Sequence, residues 1–342
     1  TGGDIPQLCY NLWRESEGVK MVLRNVLMNL SENEMLNAAA QKYGLKLGAQ
    51  SVVAGTNLEE MIESVKKLNA QGIEATIDNL GEFVYDEAIA TKAKDDILAV
   101  IDAIQKHGLH AHISVKPSQV GLDIDIDFCY DNLREIVEHA AQYGLFVNLD
   151  MENYTRLQST IDMLEELNKV FNNVGTVVQA YLFRSKEDIE RLKDYRVRIV
   201  KGAYKEPAEV AYQDKLEIDI NFLELVEYHL LHGKFTSIAT HDHNLIAHLK
   251  QFIADHNIPN DKFEFQMLYG FRTEMQQQLA KDYNFCTYVP FGKDWYGYFI
   301  RRLAERPQNI NLVTKQVFNK KTNTILAVAA GAFILGRLTK RK

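Results

Sequence analysis

The chain has 342 residues, and its 46% hydrophobic and 25% charged fractions are ordinary for a folded globular protein. A net charge of -7 argues against broad nucleic-acid binding. The three cysteines (Cys9, Cys129 and Cys286) are far apart and form no C-x-x-C motif, so we expect no disulfide framework and a reducing compartment.

The two ends of the chain differ in pattern from its middle. Residues 1–20 have little pattern and are interpreted as a leader or disordered arm, with Met21 as a plausible natural start. We expect one catalytic domain over residues 21–318, since α/β barrels commonly reach about 200–250 residues as a single domain. Residues 319–342 form a basic, apolar tail.

Eight short runs rich in β-branched and aromatic residues predict strands. These runs are 73–77, 112–115, 146–149, 176–182, 197–200, 236–239, 263–267 and 285–289. Helical patterns follow each of them, at 95–107, 132–143, 154–171, 185–195, 216–232, 244–256, 274–283 and 296–306. Two further helices are predicted before the first strand, at 31–42 and 58–70.

Eight strands alternating with eight helices predict an α/β fold of the (β/α)₈ TIM-barrel type. The competing fold, a doubly wound open sheet, normally carries a glycine-rich phosphate turn, and no G-x-G-x-x-G motif occurs in the chain. Ser185 and Asp188 have the spacing of a capping box at the start of one predicted helix.

A barrel of this type carries its chemistry where the strands end, and polar residues stand at most of the predicted ends. They are Lys116, Asp150, Gln179, Arg198, Lys201, Thr240, His241 and Tyr288. Simpler explanations exist for some of them. Lys116 could form a salt bridge on the rim, Asp150 could cap the next helix, and Gly202 could be a turn glycine. His107, His110 and His112 precede or begin the second strand, where structural roles are expected.

Two other chemistries are compatible with the strand ends. His241 and His243 form an H-x-H pair that could bind a metal in a hydrolase, although no second ligand cluster supports it. Lys116 and Lys201 could form a Schiff base in an aldolase, although that requires a lysine without acidic neighbours.

The last predicted helix presents an unusual polar stripe. Tyr298, Arg301, Arg302 and Glu305 recur at i, i+3, i+4 and i+7 and therefore share one helix face. An ordinary i, i+4 ion pair would explain Arg301 and Glu305. If this helix instead forms a lid over the barrel mouth, its arginines and Lys116 could bind a small carboxylate.

The motifs, taken together in order, resemble the proline dehydrogenases. They read ISVKPSQVGL, VNLDMENY, VQAYLFRS, VRIVKGAY, ATHD, FEFQMLYGF and YVP with YFIRRLAE, and the resemblance covers residues 31–308. It is greatest for the monofunctional bacterial form. It implies a distorted (β/α)₈ barrel that binds FAD and oxidises L-proline to Δ1-pyrroline-5-carboxylate. Electrons would pass to a membrane quinone, and a pyrroline-5-carboxylate dehydrogenase would take the product.

The same resemblance implies roles for individual residues. Lys116, Arg301 and Arg302 would bind the proline carboxylate, and Leu268, Tyr288 and Tyr298 would pack on its ring. Asp150 and Arg198 would be catalytic, at the junction of substrate and flavin. The implied FAD contacts are Met151, Gln179, Arg198, Lys201, Gly202, Ala203, Tyr204, Thr240, His241 and Glu305.

The tail suggests a location. Residues 325–336 (ILAVAAGAFILG) are apolar or small, and basic residues flank them. A helix of that run would be about 18 Å long, shorter than the ~30 Å hydrocarbon core of a bilayer. We expect either a helix packed on the barrel or a peripheral anchor on the inner face of the cell membrane.

Overall fold

The computed structural model describes residues 52–299. The compact unit Val52–Gly292 is the barrel. Residues 293–299 belong to a second unit, and a helix begins there at Trp295, whose ring contacts those of Tyr296 and Phe299. The predicted domain limits at residues 20 and 318, and the helix at 31–42, lie outside the described residues.

Eight parallel strands close into a barrel in which each strand pairs with the next and the last pairs with the first. They are β1 (Glu74–Asn79), β2 (Ala111–Val115), β3 (Val147–Leu149), β4 (Val174–Gln179), β5 (Arg196–Val200), β6 (Phe235–Ala239), β7 (Phe263–Leu268) and β8 (Phe285–Phe291). All eight predicted strands are therefore present, and the (β/α)₈ barrel is confirmed.

Eight helices accompany the strands in the described part of the barrel. They are α1 (Leu58–Asn69), α2 (Glu87–His107), α3 (Ile126–Gln142), α4 (Tyr154–Asn168), α5 (Ser185–Arg191), α6 (Lys215–His232), α7 (His243–Asp255) and α8 (Thr273–Leu279). Aspartates cap several of them: the side chains of Asp86, Asp125, Asp214 and Asp242 accept backbone N–H groups at the starts of α2, α3, α6 and α7.

The hydrophobic core lies between the strands and the helices. Ile77, Val115 and Leu149 on the strands are buried with Ile101 and Ile136 from the helices. Because side chains alternate across a strand, the residues between these apolar positions face the barrel interior. That alternation brings the polar residues together.

Three local predictions were wrong: among them, α3 begins at Ile126, six residues before the predicted start. Helix α2 begins at Glu87, eight residues before the predicted start, because the Asp86 side chain caps it there. The prediction missed these first turns because they carry little apolar periodicity. The predicted capping box is absent. Arg184, not Ser185, is the N-cap of α5, and its guanidinium binds Asp188, while the Ser185 hydroxyl accepts from Asn221 at 2.9 Å.

Two further observations concern the described helices and the described cysteines. Between residues 52 and 299, no helix has the length and apolarity needed to cross a membrane. Cys129 and Cys286 are buried and free.

Candidate active site

Polar side chains fill the upper part of the barrel interior because they lie two residues apart on successive strands. The pairs are Thr76 and Asp78 on β1, Ser114 on β2 with Lys116 just after it, and Asn148 on β3 with Asp150 just after it. Arg198 on β5 and Tyr288 on β8 complete the set. All of these side chains lie in one hydrogen-bonded network.

Lys116 and Asp78 form a buried ion pair at the carboxyl ends of β1 and β2. Lys116 Nζ lies 2.7 Å from Asp78 Oδ2 and 3.8 Å from Asp150 Oδ2, and its side chain is only 13% exposed. Burial alone would lower the pKa of Lys116, but the charges of Asp78 and Asp150 outweigh it and raise the pKa above its usual value. The lysine therefore stays protonated, and it is not the simple rim salt bridge that a surface lysine would form.

Tyr288 lies between two carboxylates. Its hydroxyl is 2.6 Å from Asp78 Oδ2 and 2.9 Å from Asp150 Oδ2, and it accepts a longer bond of 3.3 Å from Lys116 Nζ. Burial, with Asp150 and Asp78 beside the ring, raises the pKa of Tyr288 well above its usual range. The phenol therefore keeps its proton.

Arg198 holds the opposite side of Asp150. Its NH1 group donates to Asp150 Oδ1 at 2.8 Å, and its NH2 group donates to Ser114 Oγ at 2.9 Å and to Thr76 Oγ1 at 3.2 Å. Asn148 Nδ2 donates to the same Asp150 oxygen at 3.0 Å. Asp150 thus contacts the interior network, whereas Asn153 is the N-cap of α4, so the helix-cap explanation for Asp150 is wrong.

Asp78 is a functional candidate that the sequence analysis missed. It is 1% exposed and accepts from both Lys116 and Tyr288. Burial raises the pKa of the Asp78 carboxyl, an effect that Lys116 opposes and Asp150 reinforces. A signal was available, since Asp78 follows the predicted strand 73–77 just as Lys116 follows the next one.

Most residues that the resemblance assigns to a cofactor lie after four neighbouring strands, β3 to β6. These are Met151 after β3, Gln179 at the end of β4, Lys201, Gly202, Ala203 and Tyr204 after β5, and Thr240 and His241 after β6. The substrate candidates Leu268, Lys116 and Tyr288, with Asp78, belong to the other four strands: Leu268 ends β7, Lys116 follows β2, and Tyr288 and Asp78 lie within β8 and β1. The two implied groups therefore occupy two adjoining halves of one rim.

The loop after β5 approaches its neighbours closely at Gly202. Its φ is +120°, and a Cβ there would lie 2.3 Å from the Tyr181 ring. Both facts require glycine at this position. The close approach to Tyr181 adds a steric reason to the backbone conformation that an ordinary turn glycine provides. Lys201 Nζ lies 2.5 Å from Asp219 Oδ1 and 3.4 Å from Asp242 Oδ2, so an ion-pair cluster anchors the start of this loop.

His241 has a defined ring orientation. Its Nε2 accepts the backbone N–H of Leu268 at 3.0 Å, so in this hydrogen bond Nε2 carries no proton. His241 thereby ties the end of β6 to the end of β7. His112, by contrast, is buried at the start of β2 with Nδ1 2.9 Å from Glu74, as a structural histidine.

The residues present fit a large planar cofactor with polar edges. Several buried side-chain atoms of the described residues have no hydrogen-bond partner, and two of them, Arg198 Nε and Gln266 Oε1, belong to side chains at inward-facing positions of β5 and β7. A buried donor and a buried acceptor without partners are costly unless a bound molecule or water satisfies them. An isoalloxazine ring, which carries both acceptors and donors along its edge, is a chemically suitable partner.

The two competing chemistries find less support. Residues 52–299 contain no cluster of three His, Cys, Asp or Glu side chains that could hold a metal, and His241 Nε2 is engaged by Leu268. The aldolase requires a neutral, unpaired lysine, whereas Lys116 and Lys201 are both ion-paired.

Part of the predicted site lies outside the residues that the structure describes. Arg301, Arg302 and Glu305 are outside the described residues. Tyr298 is described, within the helical residues 295–299 of the second unit. The lid and the arginine clamp therefore stay predictions.

Comparison with known proteins identifies the family. The family model described as Proline dehydrogenase matches residues 61–315. The chain is 43% identical over 302 residues to "Proline dehydrogenase 1" of Bacillus subtilis, covering 87% of this chain and 100% of that protein. It is 40% identical over 305 residues to the "Proline dehydrogenase" of Deinococcus radiodurans, covering 87% of this chain and 98% of that one.

A solved structure agrees with the fold. Proline utilization A (PutA) from Bdellovibrio bacteriovorus, inactivated by N-propargylglycine, superposes with a TM-score of 0.75 at 25% identity. The match covers 90% of this chain and 39% of that longer one. The family model and these relatives show that the chain belongs to the proline dehydrogenase family of oxidoreductases.

Proposed function

We propose that the protein uses FAD to oxidise L-proline to Δ1-pyrroline-5-carboxylate, as the first step of proline catabolism to glutamate. The observation that carries this proposal is the buried network of Lys116, Asp78, Tyr288, Asp150 and Arg198. It sets a protonated lysine and a neutral phenol beside two carboxylates inside the barrel. Such a site suits a small zwitterion with one carboxylate and one ring nitrogen.

Lys116, Arg301 and Arg302 would bind the substrate carboxylate. Lys116 is held by Asp78 on β1, so its position does not depend on the substrate. Guanidinium groups bind carboxylates bidentately, which would fix the orientation of the ring as well as its position. Glu305 would hold one of the arginines in its rotamer.

Leu268, Tyr288 and Tyr298 would pack on the pyrrolidine ring. Tyr288 is held at its hydroxyl by Asp78 and Asp150, and the Arg198 guanidinium lies 5.3 Å from its ring centroid. Leu268 is held through its backbone by His241. Rigid contacts of this kind keep a reacting carbon within a small range of positions.

The residues after β3 to β6 would hold the cofactor, together with Glu305. When bound, the flavin would accept a hydride from the ring carbon next to nitrogen. Arg198 contributes a buried positive charge, which would stabilise the negative charge of a reduced flavin beside it. Asp150 holds that guanidinium in place and is itself oriented by Asn148.

The acceptor and the location are a further part of the proposal. We propose that electrons pass to a membrane quinone and that residues 319–342 hold the enzyme at the inner face of the cell membrane. The apolar run 325–336 could insert into the membrane surface, and each flanking lysine or arginine near anionic headgroups would contribute about 1 kcal/mol of binding free energy.

The anchor is tested by truncation. Deleting residues 323–342 should leave turnover with a soluble dye nearly unchanged and weaken binding to anionic vesicles. Vesicle binding equal to that of the full chain, or loss of the fold, would contradict the anchor.

The substrate and cofactor are tested by product and cofactor analysis. The purified chain is incubated with L-proline and a dye acceptor, and the product is identified by mass as the cyclic imine. The cofactor released on denaturation is identified by chromatography. FAD and the imine are expected, whereas FMN, a tightly bound metal or an unchanged substrate would contradict the proposal.

A further inference from the structure

One phenol proton lies between two carboxylate oxygens in the barrel interior. The Tyr288 hydroxyl is 2.6 Å from Asp78 Oδ2 and 2.9 Å from Asp150 Oδ2. A phenol has one proton, so it can donate to only one of the two oxygens at a time. The other short contact is satisfied when a carboxyl proton points back at the phenol oxygen. The three groups therefore have room for one additional proton.

The two carboxylates are not equivalent. Asp150 Oδ1 accepts from Arg198 and Asn148, so its negative charge is directly stabilised. The second oxygen of Asp78, Oδ1, is buried and has no hydrogen-bond partner among the described residues. An ionised carboxylate with one unsatisfied buried oxygen gains more from protonation than one that accepts several hydrogen bonds. The additional proton therefore belongs on Asp78.

The proposed reaction produces such a proton. An amino acid with a ring nitrogen is a zwitterion at neutral pH, with no lone pair on nitrogen. The nitrogen must lose a proton before its lone pair can form the C=N bond as the hydride leaves the neighbouring carbon. A buried acceptor for that proton is required if the site excludes water during the reaction.

We propose, resting on the function given above, that Asp78 receives the proton lost by the substrate nitrogen and that Tyr288 passes it on. The substrate N–H bond breaks and its electron pair stays on nitrogen. That proton bonds to the Tyr288 oxygen while the proton of Tyr288 moves to Asp78 Oδ2. Tyr288 ends neutral, Asp78 becomes a neutral carboxylic acid, and neither residue is oxidised or reduced.

The surrounding charges are compatible with this transfer. Charged and titratable groups from the elements around Asp78 are Lys116 after β2, Asp150 after β3, Arg198 on β5 and Tyr288 on β8. Glu82 and Tyr204 lie near enough to influence Lys116. With both aspartates ionised, the four charged members of the network sum to zero. Protonation of Asp78 leaves one positive charge, which the bound substrate carboxylate balances.

The test compares the wild-type holoenzyme with Asp78→Asn and with the control Asp261→Asn, which changes an exposed aspartate after α7. Infrared difference spectra are recorded without oxygen on adding L-proline or its ring-oxygen analogue, tetrahydrofuran-2-carboxylate. Wild type and Asp261→Asn should show a new protonated-carboxyl band with L-proline that shifts in D₂O. The band should be absent in Asp78→Asn, and absent in every protein with the analogue, which has no proton to give.

Kinetics provide a second readout. At saturating L-proline, Asp78→Asn should slow flavin bleaching at least tenfold at pH 7. It should also shift the acidic limb of the plot of bleaching rate against pH.

If Asp78→Asn does not fold, Tyr288→Phe carries the test, because removing the hydroxyl should also remove the infrared band. A band that persists in Asp78→Asn or in Tyr288→Phe would overturn the proposal, as would wild-type bleaching in either variant. Bleaching of wild type by L-proline without the band would contradict the role of Asp78 alone, whereas no bleaching of wild type would contradict the proposed function.

Discussion

The guanidinium of Arg198 on β5 donates to the carboxylate of Asp150 after β3 across 2.8 Å, and both side chains are almost fully buried. Removing one partner of a buried ion pair leaves the other charge uncompensated, at about 3–5 kcal/mol. This bond therefore both orients Asp150 and stabilises the barrel interior.

Replacing Arg198 by methionine should impair the flavin step. We expect flavin reduction by L-proline to slow at least tenfold, or FAD to be lost on gel filtration, with a lower melting temperature. Arg191→Met is the matched control, because Arg191 forms a half-exposed pair with Glu165 and should change neither property. Normal reduction and normal flavin content in Arg198→Met would remove Arg198 from the proposed site.

The carboxylate-binding residues should control substrate affinity. Lys116→Met, Arg301→Met and Arg302→Met should each raise the KM for proline about ten- to hundredfold, since a charged hydrogen bond contributes ~1.5–3 kcal/mol. The control is Lys92→Met, on the exposed face of α2, which should leave KM unchanged. The clamp would be wrong if the two arginine variants both kept the wild-type KM.

Tyr288 should determine which ring is accepted. Its hydroxyl is fixed by two aspartates, so the aromatic ring cannot move aside for a substituent on the substrate. We expect a higher kcat/KM for L-proline than for 4-hydroxyproline. Tyr288→Ser should narrow that ratio most by removing the ring, and Tyr288→Phe, which keeps the ring but loses both hydrogen bonds that hold it, should narrow the ratio less. Equal kcat/KM values for both substrates in wild type would refute this role.

His229 should make the fold sensitive to acid. It is fully buried on α6, with Nδ1 2.8 Å from Thr236 Oγ1, and burial lowers the pKa of His229 from 6.5 to about 4. The unfolded chain therefore takes up the proton first. Stability contributed by the neutral histidine is present above pH 6.5 and is lost as pH falls toward 4, by ~3 kcal/mol at most.

Chemical denaturation of His229→Gln across this pH range tests the effect. The variant should be less stable at pH 7 but should lose less stability between pH 6.5 and 4 than wild type. The control is His248→Gln, since His248 is an exposed histidine on α7 paired with Glu227, and this variant should keep the wild-type change of unfolding free energy with pH. If that change were also unaltered in His229→Gln, His229 would not couple folding to pH.

The sequence predicted the strands and the convergence of Lys116, Asp150, Arg198 and Tyr288 because both follow from local rules. Short β-branched runs specify strands, and the carboxyl ends of strands in a closed parallel barrel meet at one rim. No detail of packing is needed for either conclusion.

The partners within the site could not be predicted in the same way. Arg198 on β5 reaches Thr76 on β1 and Ser114 on β2, which lie four and three strands away, and these contacts depend on strand register around the whole barrel. Asp150 resembles a helix cap in sequence. Its backbone N–H bonds to the Val115 carbonyl at 2.8 Å and extends the β3 ladder, which directs its side chain inward instead.

Anaerobic absorbance spectroscopy of the purified 342-residue chain shows whether L-proline reduces a bound flavin. We expect a yellow protein whose flavin absorbance is bleached by L-proline in the absence of oxygen and returns when an electron acceptor is added. A colourless protein, or a yellow one whose flavin remains oxidised at saturating L-proline, would contradict the proposed function.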